Sequence, residues 1–480
     1  MTTLKPALQL PCPRESAPHP MQAIRALWTS GGLAPAALDR LELSGGEPAL
    51  PTSFAVGTAL QASLGAAAAA AAEWGVLAGG PEQAVAVDMA DAVCEGSCRF
   101  LLDGRKPRVW DPLSGLYRCS GGVARQVRIH ANFAHHRDGV LQLLGLPPNA
   151  ETPREAVESA LARWDAFEFE AAADALGLVV AAVRTPQEWQ AHPQSAAVGL
   201  LPTVAIDRIA DSAPRRVSRG DAGFAPLDGL RVLDLTRILA GPVAGRTLAA
   251  YGADVLLVNG PHLPNIDAIA DLSRGKRSAL VDLRDPAGVE RLRTLVRGAD
   301  VVLQGYRPGA LAARGFAPDD LARLRPGIVS VSLSAYGHRG PWAGKRGFDS
   351  LVQSATGINM AEAEAFGDPL PRALPLQALD IGAGFLLAFG ALAALIRQRR
   401  EGGSWQVRVS LAGVGHWLES LGRIEEGPGA AWPDVNAAME AVQSGFGTLH
   451  SVRHAARFSV TPAAWRRPSM PPGSHAPAWG

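Results

Sequence analysis

From residue 227 onward, short apolar runs alternate with helical patterns, and this alternation limits the fold more than any other feature. Five runs have strand character, at residues 232–235, 254–258, 278–283, 300–304 and 328–333. Helical patterns lie between several of them, at 243–251, 286–296 and 318–324. Largely apolar strands separated by helices are typical of a parallel sheet with helices on both faces. The sequence therefore predicts an α/β protein with a Rossmann-like parallel sheet, and ligands of such sheets bind at the carboxyl ends of the strands.

The size and charge of the chain indicate how many domains it can form and which partners we expect. Its 480 residues, 47% of them hydrophobic, suffice for two or three domains with a sizeable core. A formal net charge of +1 gives no reason to expect nucleic acid or a membrane surface as a partner. The most apolar run, 381–396, is shorter than the ~20 residues that span a bilayer, so it predicts a buried helix. Residues 1–20 lack the apolar segment of a signal peptide, and we expect a cytoplasmic protein.

The cysteine and histidine pattern predicts neither disulfides nor a metal site. The four cysteines are Cys12, Cys94, Cys98 and Cys119. They are too sparse for a disulfide framework and are typical of reduced thiols. Cys94, Cys98 and Cys119 could be grouped with a set of imidazoles, but the spacing fits no zinc pattern. Those imidazoles belong to His130, His135 and His136.

Composition divides the chain into five parts. We predict a partial copy of large-domain elements over residues 1–105, a small α+β domain over 106–206 and a linker over 207–226. The Rossmann-like domain then covers 227–425, and a return segment covers 426–480. The small domain is inferred from strand-like pieces near 116–129 followed by helical patterns. The linker is inferred from its charge and from Pro214 and Gly220.

Two regions of the sequence resemble each other. A helix at 54–73, a glycine break and a strand at 84–87 parallel a helix at 381–400, a glycine break and a strand at 407–409. Aligning Gly57 with Gly382 places Ala55 opposite Asp380. The pattern predicts a repeated unit in which only the second copy carries a carboxylate. Chance similarity between two helices rich in alanine and glycine is the alternative.

Asp380 stands directly before the strongest apolar helix pattern of the chain. The free N–H groups and the dipole of a helix start would keep a carboxylate there ionised and oriented. An ionised, positioned carboxylate can act as a covalent nucleophile toward an activated acyl group. The alternative is an ordinary Asp N-cap, because aspartate is common at that position.

Several common chemistries have no motif in this chain. No Gly-x-Gly-x-x-Gly follows the first strand, and there is no phosphate-binding loop of the Gly-x-x-x-x-Gly-Lys-Ser/Thr type. A Gly-x-Ser-x-Gly nucleophile elbow and a His-Glu-x-x-His zinc motif are also absent from the sequence. The sequence therefore predicts a parallel-sheet protein that lacks the common cofactor motifs.

Read together, the motifs from residue 227 onward resemble the family III CoA-transferases, also called the formyl-CoA transferase or carnitine CoA-transferase (CaiB/BaiF) family. Six stretches carry the resemblance in the family's order. They are residues 227–242 (LDGLRVLDLTRILAGP), 251–255 (YGADV), 274–283 (RGKRSALVDL), 306–309 (YRPG), 334–349 (SAYG to RGFD) and the Leu379-Asp380 pair before a glycine-containing helix. Residues 51–216 resemble the later part of such a chain more loosely, with the small domain placed before the large one.

The resemblance implies an activity and a site. It implies an acyl-CoA:carboxylate CoA-transferase with coenzyme A as acyl-CoA substrate, a small carboxylic acid as second substrate and no metal. Asp380 would be the nucleophile that forms a mixed anhydride and then an aspartyl-CoA thioester, with the backbone of Gly382 and Gly384 near the oxyanion. The residues matching family positions around CoA are Ile238, Leu239, Ala240, Lys276, Arg277, Tyr306, Arg307 and Arg346. A homodimer is the family's assembly, and the altered domain order argues against its interlocked-ring form.

The chain departs from the family pattern at three places in the implied CoA site. Asn259-Gly260 stands where the family has an acidic and then often a basic residue, and Gln304-Gly305 replaces a Glu-Asn pair. An arginine expected near Ala313 falls at Arg314. The resemblance therefore implies CoA contacts that differ from the family norm.

Two other functions fit the same motifs. One is a non-catalytic or auxiliary family member with a decayed site, favoured by the divergent N-terminal half and opposed by the retained Asp380. The other is an acyl-CoA racemase, a related activity whose members carry a histidine in the Gly347-Phe348-Asp349 motif. Phe348 cannot transfer a proton, which argues against racemisation.

Overall fold

The computed structural model describes residues 19–215 and 225–480. Cys12, which was predicted to be a reduced thiol, lies outside the described residues, as do the rest of segment 1–18 and residues 216–224 of the predicted linker. The N-terminal region begins with α1 and continues through two parallel strands joined by a long helix. Its elements are α1 (Pro20–Ser30), a 3₁₀ turn (Pro35–Arg40), β1 (Leu41–Ser44), α2 (Val56–Leu77), β2 (Val85–Asp88), α3 (Met89–Gly96) and β3 (Phe100–Leu102).

A small α+β unit follows, as the sequence predicts. Its core packs a three-stranded sheet, in the order β4-β5-β6, against helices rich in alanine and leucine. The elements are β4 (Gly115–Cys119), β5 (Gly122–Ile129), α4 (Ala134–Leu143), α5 (Arg154–Leu161), α6 (Ala166–Ala175), β6 (Val180–Ala182), α7 (Pro186–Gln190) and α8 (Pro193–Gly199). The domain boundaries given above stay a prediction.

The large sheet confirms the predicted α/β class. Its seven strands run in the order β10-β9-β8-β11-β12-β13-β7. Its elements are β7 (Ala205–Ala210), β8 (Arg231–Asp234), α9 (Ala240–Ala250), β9 (Asp254–Asn259), α10 (Ile269–Leu272), β10 (Arg277–Leu280), α11 (Pro286–Arg297), β11 (Val301–Gln304), α12 (Pro318–Leu324), β12 (Val329–Ser334), α13 (Asp349–Ala355), α14 (Ile358–Phe366), α15 (Ala378–Glu401) and β13 (Ser404–Ser410).

Six of these strands are parallel, and β7 pairs antiparallel with β13 at one edge. The sequence did not indicate β7, because two of its six residues are charged and only its first residue is buried. The predicted linker begins inside this strand, since Asp207 pairs with Gln406 of β13. An edge strand is tied to the sheet on one side only, so its sequence carries a weak apolar pattern.

The C-terminal segment returns to the N-terminal region. It comprises α16 (Leu411–Ser420), β14 (Met439–Ser444), β15 (Gly447–Val452) and β16 (Ala456–Phe458). Strand β16 pairs antiparallel with β2, and β15 pairs antiparallel with β3. Residues distant in sequence therefore share two small sheets, β1-β2-β16 and β14-β15-β3.

Helices α2 and α15 form the centre of the molecule. Their mutual packing is the most extensive contact between any two described elements. Both are rich in alanine, glycine and leucine, and most residues of each are buried on every side. Helix α15 is long and apolar enough to cross a membrane by length and composition, yet its most apolar part is wholly buried inside the protein. Such a helix is apolar all round because every face meets another element.

Candidate active site

A cavity of about 660 Å³ lies at the carboxyl ends of the parallel strands. The turns after β8, β9, β11 and β12 form its floor, and residues of the small unit close one side. This is where the doubly wound topology brings loops from neighbouring strands together. Its size is that of a cleft for a ligand of drug or cofactor dimensions.

The side chains around this cavity are predominantly basic. Six cationic residues line it: Arg237, Arg284, Arg307, Arg314, Lys345 and Arg346. Two of them are neutralised, Arg284 by Asp282 and Lys345 by Glu170 at 3.0 Å. Within residues 19–215 and 225–480, the other four form no ion pair with a carboxylate, and Asp380 is the one carboxylate of the lining. The cavity therefore offers uncompensated positive charge around a single acidic side chain.

Asp380 is the third residue of α15, within its first turn. The N-cap is Gln377, whose side chain accepts no capping hydrogen bond. Asp349 supplies the cap instead, because its Oδ2 accepts the backbone N–H of Leu379 at 2.8 Å and that of Asp380 at 3.0 Å. The side chain of Gln353 donates to the other oxygen of Asp349. The helix start therefore stabilises the Asp349 carboxylate and holds the backbone of Asp380 in place.

The charge state of Asp380 differs from the sequence-based prediction. Burial raises the pKa of its carboxyl well above the usual range, and the neighbouring Asp349 adds to the rise. Burial also raises the pKa of Asp349, to about 6, although its N–H donors oppose the shift. The prediction that helix-start N–H groups keep Asp380 ionised is wrong, because those N–H groups donate to Asp349. Burial and the neighbouring Asp349 thus favour the protonated form of Asp380.

An aromatic wall from the small unit faces the same cavity. Phe133, His135 and His136 line it, together with Phe348 from the large domain. The ring centroids of Phe133 and Phe348 are 6.4 Å apart, and His130 stacks on Phe348 at 4.0 Å. Burial lowers the pKa of both His130 and His136 to about 3, with smaller contributions from nearby cationic groups. These shifts favour the neutral form of both imidazoles, of which His136 lines the cavity.

Six of the eight residues predicted to bind CoA line the cavity. They are Ile238, Leu239, Ala240, Tyr306, Arg307 and Arg346. Ile238 adopts a positive φ of 78°, which is strained for a β-branched residue. Such strain is concentrated at functional sites, and here it lies in the turn between β8 and α9.

Lys276 and Arg277 do not line the cavity. Lys276 is fully buried and donates to Asp234 at 2.8 Å and to the Pro242 carbonyl at 2.9 Å. Arg277 is the first residue of β10, at the amino end of that strand, and it pairs with Asp254 at 2.7 Å. Both cations are neutralised away from the site, so the structure gives them a role in packing.

Gly382 and Gly384 also lie outside the cavity lining. A Cβ on Gly384 would approach Val243 Cγ1 to 2.6 Å and the Ala240 carbonyl to 2.7 Å, so this glycine permits close packing of α15 on α9. Both residues lie beyond the first four positions of the helix. Their backbone N–H groups therefore donate to carbonyls within the helix. Their role as oxyanion donors stays a prediction, and the packing explains Gly384 without it.

Part of the chain is similar to known proteins. A sequence model of CoA-transferase family III matches residues 227–423. A probable fatty acyl-CoA transferase, Rv3272 of Mycobacterium tuberculosis, is 35% identical over 209 residues, covering 41% of this chain and 52% of the relative. Succinyl-CoA:glutarate CoA-transferase of Mus musculus is 34% identical, covering 37% of this chain and 43% of the relative.

Among solved structures, a CaiB/BaiF family protein from Brucella suis is 27% identical and covers 47% of this chain and 65% of its own, with a TM-score of 0.36. The chain spans about half the length of the curated CoA-transferase family III relatives it matches. The family match begins just before β8 and ends after α16.

Several side chains of this cavity were not predicted from the sequence. Asp349 was noted only as part of a motif, and its contact with Asp380 crosses 31 residues of sequence. Phe133, His135 and His136 come from the small unit, whose sequence carried no recognisable site pattern. Arg237 lies inside a quoted motif, next to the predicted Ile238. The one signal that could have identified Arg237 was its position in a turn that was predicted to bind CoA.

Proposed function

We propose that this protein is a CoA-transferase that moves CoA from an acyl-CoA donor to a carboxylic acid, with Asp380 as nucleophile. One observation carries the proposal: Asp380 is the single carboxylate lining a basic cavity at the carboxyl end of the parallel sheet, within the described residues. The family III match over residues 227–423 supports it. Anionic CoA phosphates suit the unpaired guanidinium groups around the cavity.

The proposed chemistry exchanges one activated acyl group for another. The Asp380 carboxylate attacks the thioester carbonyl, the C–S bond breaks, and CoA leaves as a thiolate with a mixed anhydride on the enzyme. The thiolate attacks the aspartyl carbonyl and releases the donor acid, which leaves an aspartyl-CoA thioester. The acceptor carboxylate then reverses these steps and departs as acyl-CoA, restoring Asp380. No outside energy source is required, because each bond broken is replaced by one of similar energy.

Asp380 must lose its proton before it can attack. Burial and Asp349 favour the protonated form in the empty site. Substrate anions would enter beside Arg237 and Arg346, whose positive charges favour an ionised carboxylate. A raised pKa also makes the free carboxylate more basic once formed, which suits a nucleophile. The proposal therefore includes a rate that increases with pH.

The acidic substrate is proposed to carry a second carboxylate. Arg237 and Arg346 are half-buried, lack a carboxylate partner among the described residues and lie close enough to His135 to lower its pKa, after the larger effect of burial. Arg237 also covers the Phe133 ring at 5.7 Å, on the aromatic side of the cavity. A relative named succinyl-CoA:glutarate CoA-transferase bears a dicarboxylic acid in its name. A dicarboxylic acid would place one carboxylate at Asp380 and the other on these guanidinium groups.

The experiment is a two-way exchange assay. The protein is incubated with acyl-CoA donors of different chain length and charge, and with mono- and dicarboxylic acceptors, and new acyl-CoA is measured by mass spectrometry. Transfer to at least one acceptor, preferring dicarboxylic acids, is the expected result. Absence of transfer together with tight CoA binding would support the auxiliary alternative and reject this proposal.

The racemase alternative has one observation in its favour. His135 and His136 line the cavity with Asp380, so a second acid/base group is present although Phe348 is not one. Incubation of a chiral 2-methylacyl-CoA in deuterated water separates the two activities. Uptake of deuterium at the α-carbon without CoA exchange would favour racemisation.

A further inference from the structure

Gln353 is a fully buried amide that lies one helical turn after Asp349 in α13. Its Nε2 donates to Asp349 Oδ1. Its Oε1 accepts the backbone N–H of Leu374 at 3.0 Å and the side-chain Nδ2 of Asn359 at 3.1 Å. Gln353 and Asp349 do not line the cavity, whereas Asp380 does. The contact of Gln353 with the site therefore passes through Asp349.

The orientation of the Gln353 amide is fixed by its neighbours. A backbone N–H can donate but cannot accept, so the group that faces the nitrogen of Leu374 is the amide oxygen. Asn359 is oriented in the same way, because its Nδ2 also donates to the Arg372 carbonyl at 3.0 Å. With its oxygen turned toward these donors, the NH2 group of Gln353 faces Asp349. Gln353 therefore presents a donor to Asp349.

Asp349 is fully buried and accepts hydrogen bonds at both oxygens. Its Oδ2 accepts two backbone N–H groups at the start of α15, and its Oδ1 accepts the Gln353 amide. Hydrogen bonds donated to a carboxyl favour its ionised form. Burial raises the pKa of Asp349 to about 6, and these three hydrogen bonds oppose the rise. A proton on either oxygen would compete with a donor, so the geometry favours the charged form of Asp349.

Two charged groups act on Asp349 from the elements packed against α13, which are β5, β6, α14, α15 and α16. Arg128 of β5 lowers the pKa of Asp349, and Asp380 of α15 is the carboxyl whose own pKa Asp349 raises, after the larger effect of burial. The other titratable side chains of these elements bond elsewhere, are exposed or lie at the far end of α15. They are Arg125 of β5, Glu362 and Glu364 of α14, Arg397, Arg399, Arg400 and Glu401 of α15, and His416 and Glu419 of α16. Asp380 is therefore the group that responds to the charge of Asp349.

We infer that Gln353 is a positioning residue for the proposed transfer, because its fixed amide favours the negative charge on Asp349 and the proton on Asp380 in the empty site. The inference rests on the proposed function for the role of Asp380. Neighbouring carboxyls resist ionising together, so a donor at one favours the proton on the other. A hydrogen bond to a charged group is worth roughly one to two pKa units. Without the Gln353 donor, the pKa of Asp349 should rise and Asp380 should ionise at lower pH.

The test compares Gln353→Met, a side chain of similar length without a donor, with Asn359→Leu as the matched control. Both variants leave buried polar groups unpaired, so both should melt at a lower temperature than the wild type. Asn359→Leu keeps the Leu374 N–H on the Gln353 oxygen, and with it the donor on Asp349. The two variants therefore separate a loss of packing from a loss of the donor.

The first measurement does not depend on transfer activity. A carbodiimide reacts with the protonated form of a carboxyl, so it is applied with an amine from pH 5 to 9, and the adduct on Asp380 is quantified by mass spectrometry. The pH of half-labelling should be about one unit lower in Gln353→Met than in the wild type. It should be unchanged in Asn359→Leu.

The second measurement is kcat for CoA transfer over the same pH range. The rise of kcat with pH should shift to lower pH in Gln353→Met and stay in place in Asn359→Leu. The double variant Gln353→Met/Asp349→Asn should give the profile of Asp349→Asn alone, because Gln353 acts through Asp349. An additive shift in the double variant would contradict this route.

Unchanged half-labelling in Gln353→Met, or an equal shift in Asn359→Leu, would overturn the inference and leave the amide a structural role. If Gln353→Met does not fold, Gln353→Leu undergoes the same comparison. A labelling shift confined to the Gln353 variant, in a protein that transfers no CoA, would uphold the location of the proton and reject the proposed transfer. Active transfer without a labelling shift would reject the inference alone.

Discussion

Two regions of this molecule are built alike and end differently. In the N-terminal region, parallel strands β1 and β2 are joined by the long buried helix α2, and α3 follows. In the C-terminal region, β12 and β13 are parallel, the long buried helix α15 precedes β13, and α16 follows. The strand following each long helix ends in the N-cap of the next helix, Asp88 before α3 and Ser410 before α16. The repeat itself stays a prediction, and this element order supports it.

A distant carboxylate holds the start of each long helix. Asp349 accepts two N–H groups of α15, and Glu47 accepts the N–H of Thr58 in α2 at 2.7 Å. Counting from the helix starts, Thr58 and Asp380 are both the third residue. The sequence alignment on glycines placed Ala55 opposite Asp380, but Ala55 is the N-cap of α2. In either alignment the N-terminal region has no carboxylate at that position.

The carboxyl ends of the strands differ most. In the C-terminal region they open onto the cavity of about 660 Å³. In the N-terminal region, Gln61 Nε2 donates to the carbonyls of Ser44 at 2.8 Å and Val87 at 2.9 Å, which ties the two strand ends together. Around Gly57, a Cβ would meet Ala49 at 2.8 Å. One unit therefore uses its strand ends for packing, and we propose that the other uses them for chemistry.

The largest difference in activity between the two regions should come from the third residue of each long helix, Asp380 in α15 and Thr58 in α2. Asp380→Asn removes the proposed nucleophile and should reduce kcat for CoA transfer at least about a thousandfold. Its dissociation constant for CoA should change little, because the phosphates bind elsewhere. Thr58→Ser is the matched control and should keep wild-type transfer. Comparable activity in Asp380→Asn would remove the functional difference between the regions.

The two capping carboxylates provide the next comparison. Asp349→Asn removes a negative charge beside Asp380, so the pKa of Asp380 should fall and the rise of kcat with pH should shift to lower pH. Glu47→Gln should cost roughly 1 kcal/mol of folding free energy and leave the pH profile unchanged. Profiles of kcat measured from pH 5 to 9 decide the matter. An unshifted profile in Asp349→Asn would show that this carboxylate does not affect the nucleophile.

The contribution of Gln61, which ties the ends of β1 and β2 together, can be tested by substitution. Gln61→Leu leaves two backbone carbonyls without a donor and should lower the free energy of unfolding by about 1–3 kcal/mol. Transfer activity should persist under conditions where the variant is folded. Urea unfolding followed by circular dichroism gives the first quantity, and the exchange assay gives the second. Loss of transfer in a folded Gln61→Leu protein would link the N-terminal region to the site.

The smallest expected effect is a dependence of the free energy of unfolding on pH, which arises from Asp380 in the C-terminal region. The folded-state pKa of Asp380 is raised, so the folded protein binds its proton more tightly than the unfolded chain does. The free energy of unfolding should therefore fall as pH rises from the unfolded pKa near 4 through the folded pKa. Asp380→Asn should show a shallower fall and greater stability at neutral pH. Identical slopes in the two proteins would contradict the raised pKa.

The sequence predicted the parallel strands of the large sheet better than the charges of the cavity. These strands, α12 and the position of the cavity followed from apolar runs that separate cleanly from helices, since burial fixes both patterns locally. Lys276 and Arg346 look alike as loop cations, yet one is fully buried beside Asp234 and the other lines the cavity. Which cation is neutralised depends on contacts across long stretches of sequence. The same holds for Asp380, because burial, with a further contribution from Asp349, raises the pKa of a carboxyl that the sequence predicted to be ionised.

The most direct test of the central claim is to trap the acylated carboxyl during turnover. The wild-type protein is incubated with an acyl-CoA that it transfers, hydroxylamine is added, and the peptide containing Asp380 is sequenced by mass spectrometry. We predict a hydroxamate on Asp380, and none in the Asp380→Asn variant or on any acidic residue of the N-terminal region. An unmodified Asp380 in a protein that is exchanging CoA would contradict the assignment of this residue as the nucleophile.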